Sequence, residues 1–295
     1  MTLKQYIDYR AICLILCILL YGCGSVNVAD KTSNAGWENL FNGKDLNGWT
    51  TKIHHYKVGD NHARTFRAEE GMIKVRYDGY DGGFNDRFAH LYYDRPYSYF
   101  HLFLEYRFVG KLHPGAPTYT EMNSGIMFHS QDPKTMLVEQ NWPISVEMQF
   151  LAGLKEGEHR PTGNMCSPGT DVVYNGKIDP RHCINSTSDT YYGDQWVRAE
   201  AIVLGDSLVS HIINGKTVLQ YTLPQMGGGV VDGYDPKIFK EGQLLKEGFI
   251  ALQSEGQPID FRNIRIRDLK GCMDPKASNF RDYFVKSDPS SCEYK

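Results

Sequence analysis

Between Trp37 and Lys270 the chain hardly ever keeps a helical period; it runs in short segments of alternating apolar and polar residues, broken by Gly, Asn, Asp and Pro. Successive side chains of a strand point to opposite faces, so such alternation is the pattern of a strand with one face buried. In "YFHLFLEYRFVG" Leu102, Leu104, Tyr106 and Phe108 fall on one face and His101, Phe103, Glu105 and Arg107 on the other. "HIINGKTVLQY" adds a hairpin signal, with Asn214-Gly215 between two apolar runs. Many short strands with turn residues between them, and little helix, predict an all-β sandwich or jelly roll with long loops.

The N-terminus has a different character. Lys4 and Arg10 precede the apolar run "AICLILCILLYGC", which is short for a membrane span and suits an export signal. Its end, "LLYGC", resembles a lipobox, with Tyr21 bulkier than usual at its position. On this basis residues 1–23 are expected to be a signal peptide, Cys23 a lipidated N-terminus and residues 24–36 a flexible tether. The expected location is the periplasm or the outer membrane, with the lipid anchor as the membrane contact and plain secretion as the alternative. The formal net charge of -3, with no Lys/Arg run, excludes the electrostatic footprint of a nucleic-acid binder.

Cys166, Cys183, Cys272 and Cys292 follow the signal. An even number without CxxC spacing in an exported chain favours disulfides over zinc thiolates. Residues 153–195 form a long polar segment holding Cys166 and Cys183, which a bridge would pin. Residues 225–248 are expected to be a surface excursion with at most a short helix. Residues 271–295 have a Cys near each end and resemble the short Cys-bounded modules at the C-termini of exported bacterial proteins, leaving 37–270 as the main domain.

"NWPISVEMQF" raises a chemical question. Ile144, Val146, Met148 and Phe150 are core-like, while Ser145, Glu147 and Gln149 share the other face. Either that face meets water or it lines a site.

Several segments resemble, in order, the 3-keto-disaccharide hydrolase family, whose fold is a concanavalin-like jelly roll. "GWENLFNGKDLNGW" is similar to its opening, "GFIALQSEGQPIDFRNIRIR" to its close, and "FAHLYYDRPYSYFHLFLEYRFVG", "NSGIMFHSQ", "WPISVEMQF", "TGNMCSPGT", "HCINSTS" and "YYGDQWVRAE" to an exported subgroup. The resemblance implies carbohydrate chemistry on sugars already oxidised to the 3-ketone. Related jelly-roll glycosidases carry two Glu on the strand that holds Glu147, four residues apart with an Asp between. Here those positions are Glu147, Gln149 and Leu151, so the carboxylate pair of ordinary glycoside hydrolysis is missing from this strand. A 3-ketone acidifies the C2 proton, so elimination followed by hydration needs only a base and a group that stabilises the enolate oxygen.

The expected catalytic residues are Glu147 and His129, the latter on "NSGIMFHSQ" where alternation groups it with Asn123, Gly125 and Met127. His90, Gln149, Arg107, Asn123, Glu105 and Trp142 are the expected substrate contacts. Each has a structural alternative: a satisfied buried histidine for His129 and His90, a cross-strand ion pair for Arg107 and Glu105, core packing for Trp142. Arg198, Glu200 and His211 have comparable polar placement and rank lower. His182 is a candidate for the cleft rim, and Tyr191 and Tyr192, with Trp142, for stacking on sugar rings. His54, His55 and His62 suggest a metal only weakly. No cofactor is demanded; a divalent metal ion polarising the ketone is compatible with the chemistry, with no ligand spacing to assign it. The predicted activity is cleavage of 3-keto-glycosides, and the alternatives are a non-catalytic lectin-like module and a structural envelope protein.

Overall fold

The alternation of the 99–108 segment is realised as the strand Tyr99–Phe108, in which Phe100, Leu102, Leu104, Tyr106 and Phe108 are buried and the intervening residues partly exposed. The computed structural model describes residues 35–295, so the signal peptide, Cys23 and most of the tether lie outside the described residues. Tyr99–Phe108 is central to a ten-stranded sheet, with Val197–Leu204 on one side and Ile259–Asp268 on the other. A seven-stranded sheet faces it, in the order Cys183–Ile184, Asn164–Cys166, Val146–Leu151, Asn123–Ser130, Phe249–Ser254, Ala89–Tyr93 and Trp49–Ile53. Every pairing in both sheets is antiparallel, as the expected all-β jelly-roll sandwich requires.

The core lies between the sheets. Tyr106 of the larger sheet stacks on Phe150 of the smaller, ring centroids 4.1 Å apart, and its hydroxyl bonds Thr162 Oγ1 at 2.6 Å. Ile126, Phe128, Val146 and Met148 complete the inner face of the smaller sheet. Each such fully buried side chain contributes about 1.5–3 kcal/mol through area removed from water. Because Val146, Met148 and Phe150 point inward, Glu147 and Gln149 point outward from the seven-stranded sheet.

That outward face is itself covered. Met136 and Trp142, on the segment between Asn123–Ser130 and Val146–Leu151, pack on Tyr92, Met127 and Ala251. The expected polar loop of 153–195 also contributes four short strands, Asn164–Cys166, Thr170–Tyr174, Lys177–Asp179 and Cys183–Ile184. Asn175 and Gly176 turn the hairpin between Thr170–Tyr174 and Lys177–Asp179, with φ of 51° and 80°, the left-handed pair a two-residue turn needs. Asn214-Gly215 adopts the same conformation at 48° and 82°. Cys166 and Cys183 are directly paired across their strands and bridged.

Among the described residues 225–248 contain no helix. Cys272 and Cys292 form the second disulfide, and the short parallel pair Lys270–Gly271 and Lys286–Ser287 ties the tail to the end of the last long strand. Residues 36–295 make one compact unit.

Candidate active site

Strand register assembles the site. Met127, Glu147 and Cys166 are direct neighbours across three strands, and Gly125, Gln149 and Asn164 form the next row. Directly opposed residues share a face, so both rows look outward. Glu147 leans over Gly125: a Cβ there would stand 2.5 Å from Glu147 Oε1, which only glycine avoids. Gln149, which lines the cavity, accepts a hydrogen bond from Asn164 Nδ2 through Oε1 at 3.0 Å and so keeps its NH2 out of that bond.

Glu255 follows directly on the strand Phe249–Ser254 and reaches the same cavity. Trp142 Nε1 donates to Glu255 Oε1 at 3.3 Å, while Oε2 is buried without a partner. The cavity holds about 420 Å³, within the range of small-molecule sites. Glu147, Glu255, Asn123, Gln149 and the Cys166–Cys183 disulfide line it, with Tyr119 and Trp142 as aromatic walls. Asn123 donates to Tyr119 O at 3.3 Å and keeps a buried, unpartnered Oδ1.

The electrostatics follow from burial. Glu147 and Glu255 are 6% and 4% exposed. Burial, then the charge of Glu255, raises the Glu147 carboxyl well above the ordinary range, against a hydrogen bond from the Gln253 side chain that lowers it. Burial pushes Glu255 up to about 7, opposed by the Trp142 hydrogen bond. Both carboxyls are raised by burial and the charge of Glu255 disfavours that of Glu147, so near neutral pH the two do not readily ionise together. One member is then a base and the other an acid.

The expected site is therefore partly corrected. Glu147, Gln149, Asn123 and Trp142 come together at the cavity, and His182 stands at its rim. His129 does not join them. Pairing shifts between Phe249 and Ala251, and His129 takes a left-handed φ of 49°, which breaks the alternation. Its Nε2 donates to Gly205 O at 2.9 Å, and burial holds it neutral, at about 4. It lines a separate cavity with Ser130 and Phe249.

His90 is fully buried and cannot touch substrate. It lies between Lys52 and Gln253 in one cross-strand row, behind the Gln253 amide that serves Glu147. Arg107 and Glu105 lie on the outer face of the other sheet, because their alternation partners Leu104 and Tyr106 fill the core from that side. Arg107 pairs with Asp260 at 3.0 Å and covers Trp196, and Glu105 accepts from Arg262 Nε at 2.8 Å. Glu200 bonds His101 and Arg198 on the same distant face, and His211 is buried against Gly163 O and Tyr221.

Glu255, Gln253 and Tyr119 were not anticipated. In "IALQSEG" Ala251, Gln253 and Glu255 alternate against Ile250, Leu252 and Ser254, the same signature that marks Glu147 and Gln149. Among the described residues neither Glu147 nor Glu255 belongs to a cluster of three His, Cys, Asp or Glu donors close enough to share an ion. Cys166, His182 and Cys183 do cluster, but both thiols are in the disulfide. The donors the cavity offers are oxygens, those of the two carboxylates and the unpartnered Oδ1 of Asn123.

Residues 36–267 match the family model described as the 3-keto-alpha-glucoside-1,2-lyase-like domain. Among solved structures, a provisionally named glycosyl hydrolase from Parabacteroides distasonis is 20% identical, with a TM-score of 0.48 over 79% of this chain and 99% of that one. The carbohydrate-binding module CBM66 from Bacillus subtilis is 12% identical, with a TM-score of 0.42 over 75% of this chain and 95% of that one. No curated protein matches the chain.

Proposed function

The chain belongs to the 3-keto-alpha-glucoside-1,2-lyase-like domain family, and from that premise we propose that its cavity cleaves 3-keto-glycosides by elimination across C1 and C2. The buried Glu147 and Glu255 pair at one cavity, both carboxyls raised by burial, carries this reading. The ionised member takes the C2 proton, and the electron pair moves into an enolate on the C3 ketone. The enolate then expels the glycosidic oxygen from C1, and the protonated member gives that oxygen its proton. The pair ends as it began, with one proton gained and one lost, and the sugar leaves as an enone to which water can add at C1.

The remaining walls suit the task. The Gln149 NH2 can donate to the enolate oxygen, where fixed donors act most strongly in a dry site. The unpartnered Asn123 Oδ1 is an acceptor for a sugar hydroxyl, and Tyr119 and Trp142 offer aromatic faces to the ring. The pair also revises the argument from the Glu147 strand alone: a second carboxylate is supplied by another strand.

The test is incubation of the purified protein with 3-keto-glucosides and with their unoxidised parents. Release of the leaving group from the ketones alone supports the reading. Binding of either sugar without turnover would instead mark a carbohydrate-binding module.

A further inference from the structure

Away from the cavity, the loop after Trp49–Ile53 brings two imidazoles against a carboxylate from another part of the chain. Donor atoms of His54, His55 and Glu139 all lie within 4.8 Å of one another. We infer that these three residues form a binding site for a divalent transition metal such as zinc or nickel, which fastens the Trp142 loop to the end of the 49–53 strand.

The ring of His54 is already oriented as a ligand. Its Nδ1 donates to the Asp86 carbonyl at 2.9 Å, which fixes the tautomer and leaves Nε2 as the nitrogen with a lone pair. Metal-binding histidines characteristically carry such a second hydrogen bond. His55 lies alongside, ring centroids 3.7 Å apart, in a left-handed backbone with φ of 74°, a conformation a β-carbon disfavours. Its Nδ1 meets Glu139 Oε2 at 2.7 Å. Donors around a tetrahedral ion with bonds of ~2.0–2.1 Å stand ~3.3 Å apart, so His55 and Glu139 must open by a side-chain rotation. Both are exposed enough to do so, at 43% and 67%. Two imidazoles and a carboxylate suit zinc, nickel or copper better than calcium or magnesium. His62 is outside the group and stacks on Tyr56.

The position gives the ion a structural consequence. His55 N donates to Val138 O at 3.0 Å, and the buried Lys52 Nζ donates to Val138 O and Gln140 O at 3.2 and 3.4 Å. Glu139 sits between those two anchored residues, three positions before Trp142, whose indole holds Glu255. An ion bridging His54, His55 and Glu139 adds a side-chain clasp to this backbone seam.

The experiment is calorimetric titration of chelator-treated full-length protein with zinc chloride, together with H54A, E139A and, as a control, H62A. One equivalent should bind, with affinity lowered at least about tenfold in H54A and in E139A and unchanged in H62A. Circular dichroism establishes that each variant is folded. Zinc should also slow amide hydrogen exchange over residues 136–142 in the parent protein but not in E139A. Absence of zinc binding, or binding that survives H54A and E139A, overturns the site; unchanged exchange in the loop overturns the clasp.

Discussion

Glu255 and Glu147, 108 positions apart in sequence, line one cavity, where burial and then the charge of Glu255 raise the Glu147 carboxyl well above the ordinary range. Two strands, Val146–Leu151 and Phe249–Ser254, flank Asn123–Ser130 and deliver the two groups to one cavity. Burial raises both carboxyls, where two exposed carboxylates would simply both ionise.

Removing either charge should therefore separate folding from turnover. E147Q and E255Q are expected to stay folded, retain binding of a 3-keto-glucoside and lose turnover by roughly 10²–10⁴-fold, the usual contribution of a positioned acid or base. Steady-state kinetics and circular dichroism on both variants check this. Wild-type rates in both would eliminate the pair as the machinery.

The pair should also leave a signature in stability against pH. Glu255 binds its proton more tightly folded than unfolded, its value rising from 4.5 to about 7. Its stabilising contribution is complete below 4.5 and is lost as pH rises through about 7. The loss is on the order of 3 kcal/mol by proton linkage. In E255Q that loss is gone, so the variant should gain on the wild type between pH 4.5 and pH 8. Denaturant unfolding at both ends measures it, and a pH-independent difference would contradict the burial argument.

Gly125 offers a test of geometry alone. Its φ is not in the left-handed region, so alanine strains no backbone; the nearest atoms to the added Cβ all belong to the Glu147 side chain. G125A should cost about 1–3 kcal/mol through overpacking and displace the carboxylate. Its turnover should fall with E147Q, while G71A, at an open turn with a left-handed φ of 72°, should cost stability through its backbone and leave turnover intact. Full activity in G125A would show that Glu147 need not lie where the strand places it.

The outer face of the ten-stranded sheet supplies the converse. R107A breaks the pair with Asp260 and removes one of the two guanidiniums on Trp196, leaving that of Arg262, so a modest loss of stability is expected with unchanged kcat/KM. Thermal melts and kinetics distinguish this from a sugar contact, for which KM would rise.

Much of this arrangement is legible before folding. The alternation of 99–108 and 144–150 gives the strands and their buried faces, and Asn214-Gly215 gives a hairpin. Asn175-Gly176 carries the same signal inside a polar segment, where sparse hydrophobics obscure four strands too short to bury a face of their own. Alternation says which residues share a face but not which side of the sandwich that face occupies. Arg107 and Glu105 were misplaced for that reason. His129 defeated the rule differently, through a bulge whose left-handed residue reverses the side-chain direction. Glu255 lies past the end of its strand, and its nearness to Glu147 is a property of strand order that local pattern does not encode.

The most direct measurement follows the C2 hydrogen. Incubation of a 3-keto-glucoside with the protein in D2O, monitored by NMR, should show loss of the C2 proton and release of the leaving group. A C2-deuterated substrate should react more slowly, E147Q and E255Q should do neither, and the unoxidised glucoside should be untouched. Cleavage of the unoxidised glucoside at a comparable rate, or cleavage of the ketone with the C2 hydrogen retained, would contradict elimination through the Glu147 and Glu255 pair.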